Sequence, residues 1–307
     1  MSSIVVTGAS SGIGRATALL LAAHGHQVFG TVRKNADAQA LAGRRQITPV
    51  LLDVTEAGQL ADAVAAIEAQ VSAAGLDGLV NNAGSGAALP LELTSRAELR
   101  RQLEVNTIGQ LAVTQAFLPL LRRARGRIVM IGSIGVRCPP PFSGPIVIPK
   151  AALTAVTHAL RQELSGCGIR TILVDPATIR TDAGDKVAAD AAATLAAFTD
   201  SERVRYGAAV SKMTSAFTRS HRQGSPAEKV AAVIVRALTS RRPQAHYTVG
   251  KNSRRMTLIS RLPIPLADAV RRRIFGMPAP GSICLEGLPP AATTVPDAAP
   301  GRPWNSS

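Results

Sequence analysis

The 307-residue chain is 46% hydrophobic, 18% charged and 3% aromatic, with a formal net charge of +15. Length and apolar content on this scale support a full α/β core and exclude a chain disordered throughout. The arginines are spread along the sequence rather than gathered in a module, and aromatics for base stacking are scarce, so a solvated basic surface is expected and a nucleic-acid partner is not.

In chain order, a short Val/Ile strand over residues 3–7 leads into a glycine turn and a helical pattern over 15–24. Strands follow at 27–32, 46–53 and 76–81, with apolar residues at helical spacing over 59–74. Residues 96–121 carry one continuous helical series, followed by a strand over 127–131, a helix over 150–164 and a strand over 169–174. The repeated β-α order predicts a Rossmann-type α/β fold, a doubly wound parallel sheet whose sites lie at the carboxyl ends of the strands. Residues 181–223 are alanine-rich and without strand signal, and are expected to form a helical substrate flap, with a helix over 226–240 and a strand over 246–249 after it. Residues 1–276 are read as one domain, and the Pro- and Ala-rich residues 277–307 as a disordered tail.

The first chemical motif is Thr7-Gly8-Ala9-Ser10-Ser11-Gly12-Ile13-Gly14. Glycines between a strand and a helix let the backbone approach a pyrophosphate, whose charge is met by amides at the helix N-terminus. After the second strand, Thr31-Val32-Arg33-Lys34 places two cations where an NAD-preferring site has a carboxylate. That favours NADP(H) over NAD(H), since Arg33 and Lys34 suit a 2'-phosphate; the competing reading is that both are solvated loop charges.

These features resemble the short-chain dehydrogenase/reductase family when taken with Asn81-Asn82-Ala83-Gly84 after the fourth strand, Asn106 in the next helix, Ser133 after the fifth strand, and Lys150. The match runs in motif order from Ser3 to Thr181, and residues 224–249 with the Arg-rich end are similar to its retinol dehydrogenase and 17-beta-hydroxysteroid dehydrogenase-like branch. The resemblance implies cofactor contacts from Gly8, Ser10, Ser11, Gly12, Ile13, Gly14, Asn82, Ala83 and Gly84, with Thr181 beside the carboxamide. It implies that Asp53 binds the adenine amino group, whereas the residues themselves equally allow a helix N-cap there. It also implies that Ser133 polarises the substrate oxygen, that Lys150 holds the nicotinamide ribose, and that Asn106 supports a relay water.

One family residue is missing. The acid/base tyrosine would stand four residues before Lys150, on the same helix face, and that position is Ile146. The only tyrosines are Tyr206, in the expected flap, and Tyr247, in a late strand where a structural role is expected. Pro149 is read in the first turn of the helix, a tolerated place, and Ala177 stands where the family has glycine. The resulting expectation is an oxidoreductase acting on an apolar alcohol or ketone, slowed by the absent phenol; the alternative is a catalytically inactive cofactor-binding sensor or interaction protein. Dimerisation through residues 96–121 and 150–164 is expected by family analogy.

Cys138, Cys167 and Cys284 are odd in number and scattered, there is no readable leader, and no apolar run approaches the roughly 18 residues of a membrane span, so a cytoplasmic, soluble chain is expected. Residues 251–275 mix arginines with apolar residues; Pro263 and Pro265 interrupt a continuous amphipathic helix, which favours a peripheral packed element over membrane contact.

Overall fold

The computed structural model describes residues 1–281, the side chains of 182–186 and 188 excepted. The strands are β1 (Ser3–Val6), β2 (Gln27–Val32), β3 (Ile47–Leu51), β4 (Gly78–Asn81), β5 (Arg127–Ile131), β6 (Arg170–Pro176), β7 (Ile179–Arg180), β8 (Ser225–Pro226) and β9 (His246–Val249). Seven of them form one sheet in the order β3-β2-β1-β4-β5-β6-β9, every pair parallel, while β7 and β8 pair separately. This is the doubly wound sheet expected from the repeated β-α pattern. The order reverses between β1 and β4, which opens a crevice at their carboxyl ends.

The helices are α1 (Gly12–Ala23), α2 (Asn35–Leu41), α3 (Ala57–Glu68), α4 (Arg96–Leu103), α5 (Gly109–Ala124), α6 (Gly144–Glu163), α7 (Asp182–Ala196), α8 (Asp200–Glu202), α9 (Ala208–Arg222), α10 (Ala227–Thr239), α11 (Ser253–Ile259) and α12 (Ile264–Phe275). None is long and apolar enough to cross a membrane among the described residues. Side chains of a strand alternate between faces, so β1 sends Ile4 and Val6 into a core with Leu21 of α1 and Ile234 of α10. Val5 enters the opposite core, with Ile67 of α3, Phe117 of α5 and Leu153 of α6. Covering both faces explains the near-continuous apolar strands, each fully buried Leu, Ile or Phe contributing roughly 1.5–3 kcal/mol.

Several boundaries differ from the sequence pattern. The single helix read over 96–121 is split by a π turn, Glu104–Ile108, between α4 and α5. Periodicity missed the break because the apolar series continues through it. Helix α6 starts six residues earlier than its pattern, at Gly144, so Pro149 lies in the helix interior and not in its first turn. The short α2 was not legible at all. No continuous helix runs through Pro263 and Pro265: α11 stops at Ile259, and the prolines start α12, Pro263 as its N-cap and Pro265 within its first turn. Of the tail, residues 282–307, Cys284 included, lie outside the described residues.

The glycine turn is held by packing. Gly8 and Gly12 take φ of +66° and +53°, which L side chains resist. A Cβ on Gly14 would lie 2.2 Å from the Gly8 carbonyl oxygen and 2.5 Å from Asn82 Nδ2. Gly14→Ala is therefore expected to push α1 off the strand end and cost about 1–3 kcal/mol. Urea denaturation checks this; an unchanged midpoint would show that the helix has room to move.

Candidate active site

The site begins where two loops are tied together. Thr7 Oγ1 accepts from the amides of Asn82 and Ala83, both at 2.9 Å, and Asn82 Nδ2 donates to the Thr7 carbonyl at 2.9 Å and the Gly8 carbonyl at 3.2 Å. The glycine turn and Asn81–Gly84 thus form one rigid wall. The first turn of α1 contains no acidic residue, and Ser11, its N-cap, makes no side-chain cap bond. The amides there remain available to an anion, as a pyrophosphate requires. Ser10 belongs to the same turn. Arg33 stands exposed at the end of β2, on the wall of the same cavity, and its guanidinium has no hydrogen-bond partner among the described residues.

Asp53 is placed differently. Its Oδ1 accepts from the Thr55 amide at 3.0 Å and hydroxyl at 2.8 Å, a local turn, and it is absent from the cavity wall. The N-cap reading is overturned, because Glu56 precedes α3.

A cavity of about 1730 Å³ opens at the carboxyl ends of the strands. Asn82, Gly84, Ser133, Asn106, Lys150, Ile146 and Thr181 all line it, so residues distant in sequence converge. The flap helices α7 and α9 contribute Val187, Ala193, Met213 and Phe217. Thr181, at the N-cap of α7, brings its Cγ2 within 3.3 Å of the point where a Gly12 Cβ would sit, so the flap starts directly on the glycine turn.

Lys150 is the most constrained of these. It is 7% exposed, and its Nζ donates to the Ile131 carbonyl at 2.8 Å. Burial pushes its pKa down to about 8, against the opposing field of Asp175. Gly84 keeps the approach open: a Cβ there would lie 2.7 Å from Asn106 Oδ1 and 3.7 Å from Lys150 Nζ. Asn106 sits in the π turn, its Nδ2 donating to the carbonyls of Ser85 and Gln102, both at 3.0 Å, and its Oδ1 accepting from the Ser85 amide at 3.3 Å. Its side chain is thereby spent on structure. Thr107 Oγ1 in the same turn donates to the Pro149 carbonyl at 2.8 Å, tying the turn to α6. Ser133 Oγ accepts from the Gly135 amide at 3.1 Å, capping a short 3₁₀ turn, Ile134–Val136, while lining the cavity; as a donor the hydroxyl remains available.

Ile146 lies one turn before Lys150, half-buried on the cavity wall, with no exchangeable proton. Neither tyrosine replaces it. Tyr206 donates to Glu92, packs edge-on to Phe142 at 6.1 Å between centroids, and is absent from the cavity wall. Burial and the Glu92 carboxylate push its pKa up to about 12. Tyr247 OH accepts from the Gln244 amide at 2.9 Å, the structural role expected of it. Ala177 adopts no left-handed backbone, so alanine is unstrained there, and its amide donates to the Val249 carbonyl at 2.7 Å.

Sequence reasoning missed Asp175. It is 2% exposed, and its Oδ2 meets His246 Nε2 at 2.8 Å. Its Oδ1 has no hydrogen-bond partner among the described residues and would lie 2.2 Å from a Cβ on Gly132. A carboxylate ending an apolar strand was the available signal; that His246 comes from β9, 71 residues on, was not legible.

Comparison with known proteins agrees with this arrangement. The family model for short chain dehydrogenases matches residues 2–192. The chain is 33% identical over 288 residues to human retinol dehydrogenase 5, covering 90% of this chain and 89% of that protein. It is 32% identical over 252 residues to the NADPH-dependent 3-dehydrocapnine reductase of Ornithobacterium rhinotracheale, covering 80% and 87%. The crystal structure of a short-chain dehydrogenase from Streptomyces avermitilis superposes with a TM-score of 0.70 at 26% identity, covering 90% of this chain and 95% of that one. A β-α sheet with its glycine turn and converging Ser133 and Lys150, together with these relatives, places the chain in the short-chain dehydrogenase family of oxidoreductases, with retinol dehydrogenase-like homologues.

Proposed function

We propose that this protein is an NADP(H)-linked oxidoreductase that moves a hydride between nicotinamide and an apolar alcohol or ketone, slowly, because its proton donor is absent. The observation that carries the reading is the buried Lys150 ammonium opening onto the cavity that Ser133, Asn82 and Gly84 also line. A cation is retained inside a protein at a cost when something anionic or polar binds it.

The residues fit the dinucleotide. The uncapped N-terminus of α1 accepts the pyrophosphate, Arg33 offers its guanidinium to a 2'-phosphate, and Lys150 donates to the ribose hydroxyls. The NADPH dependence in the name of the Ornithobacterium relative supports the same preference. When bound, a nicotinamide would supply the hydride for the carbonyl carbon, and the carbonyl oxygen would need a proton from another source. Ser133 Oγ donates a hydrogen bond to that oxygen, while Ile146 has no proton to deliver, so the proton comes from water in the cavity. A positioned general acid contributes roughly 10²–10⁴-fold, about 3–5 kcal/mol of barrier, and that factor is what this site lacks.

Titration with NADPH is expected to saturate, with NADH binding more weakly, and Ile146→Tyr to raise the rate of ketone reduction by roughly 100-fold. No saturable binding of NADPH would overturn the assignment. A silent Ile146→Tyr variant that still binds NADPH would favour the alternative, a cofactor-binding sensor without turnover.

The buried ammonium also predicts a stability effect. The Lys150 pKa falls from 10.5 to about 8 on folding, so below about pH 8 the folded chain carries a buried charge penalty of order 3 kcal/mol, which fades as pH rises toward 10.5. Lys150→Met removes that penalty and loses the bond to Ile131. It is expected to be about 1–3 kcal/mol more stable at pH 7, the advantage shrinking by pH 10. Urea denaturation at both pH values checks this, and a variant less stable at pH 7 contradicts it.

A further inference from the structure

The cavity exceeds the roughly 300–1,000 Å³ of a single-ligand pocket, and its two ends differ in character. Arg33 and Ile13 mark the end beside the glycine turn. The far wall is built by α11 and α12, and α11 packs against the turn Ile134–Val136 that directly follows Ser133. A small core of Cys138, Ile259 and Ala267 anchors this wall, with Met256 and Val270 against it. Met256, Ile259, Ile274, Phe275, Phe217 and Met213 present an apolar surface to the cavity.

Two guanidinium groups interrupt that surface, those of Arg255 and Arg271. Arg271 Nη1 donates to Asp268 Oδ1 at 3.0 Å, while its Nε is buried without a partner among the described residues. Arg255 makes no side-chain hydrogen bond or ion pair among the described residues. Arg255 is exposed and its guanidinium is hydrated, whereas the buried Nε of Arg271 is costly to leave unpaired and calls for a partner. The Nε–Nη2 edge of Arg271 makes no hydrogen bond among the described residues, and an arginine edge of this kind can take a carboxylate in two parallel bonds where a ligand reaches it. The same molecule shows the pattern elsewhere: Arg101 Nε and Nη2 donate to the two oxygens of Glu98 at 2.9 and 2.8 Å.

We propose that this far wall receives the anionic group of an otherwise apolar substrate, an amphipathic acid whose chain lies along Phe217, Met256 and Ile274 and whose acidic end is bound by Arg271 and Arg255. The inference rests on the oxidoreductase reading for the role of Ser133 and specifies the substrate class of that site. The wall adjoins the turn after Ser133, whereas the cofactor's phosphates are assigned to the glycine turn and Arg33.

Calorimetric titration of the full chain with dodecanoate and with dodecan-1-ol, with and without NADPH, tests this without requiring turnover. Dodecanoate is expected to bind at one site at least 10-fold more tightly than the alcohol. Arg271→Gln and, separately, Arg255→Gln are each expected to reduce that preference, the first abolishing it, with NADPH affinity unchanged. Equal affinity for acid and alcohol, or an acid preference that survives both substitutions, would overturn the proposal. An acid preference in a chain that does not bind NADPH would uphold this site and fault the cofactor reading instead.

Discussion

The structure is organised around one buried charge. Lys150 is nearly inaccessible, its ammonium held by a single carbonyl, Ile131, at the carboxyl end of a central strand. Removing an ammonium from water costs several kcal/mol unless partners replace the lost hydration, and here the protein supplies only part of that replacement. Asp175 opposes the penalty through its field, since it ends the neighbouring strand and turns one oxygen toward Gly132, the residue after Ile131. His246 anchors the other oxygen of Asp175, and exposed Arg137 in turn bonds His246 Nδ1 at 2.9 Å. The charge at the cavity floor is thus embedded in a connected polar arrangement spanning β5, β6 and β9.

The surrounding fold serves the same region. Close packing of Gly14 on Gly8, and the stitching of Thr7 to Asn82 and Ala83, leave little freedom to the walls facing the cavity. The π turn is fastened to α6 through Thr107 and Pro149, so α4, α5 and the helix carrying Lys150 move together if they move at all. Such turns concentrate at functional sites because they interrupt the α-helical bonding ladder locally. Helices α7 and α9 and the α11–α12 wall line the remaining sides of the cavity, with Met213, Phe217, Met256 and Ile259 among their apolar side chains.

Local chemistry was legible in the sequence and through-space chemistry was not. The glycine turn declares itself because its strand, turn and helix are contiguous, and the sheet because β-α alternation repeats. Ser133 and Lys150 were found through a resemblance, since nothing in the spacing of 17 residues alone says that they face one cavity. Of the two readings for Asp53, an adenine contact and a helix N-cap, the sequence could not reject the second, which only the position of Glu56 at the start of α3 removes. The pairing of Asp175 with His246, and the unpaired Nε of Arg271, depend on elements far apart in the chain and leave no periodic trace.

The central claim is that Lys150 pays for its burial by holding the cofactor, and the pH dependence of NADPH affinity tests it most directly. A charge-assisted grip fades once the free protein's ammonium deprotonates. Equilibrium dialysis between pH 7 and 9.5 should show affinity falling from about pH 8 upward, in line with the depressed Lys150 pKa, and a flat profile in Lys150→Met. An affinity that stays constant across that range in the unsubstituted chain, or an identical decline in the methionine variant, would contradict the account.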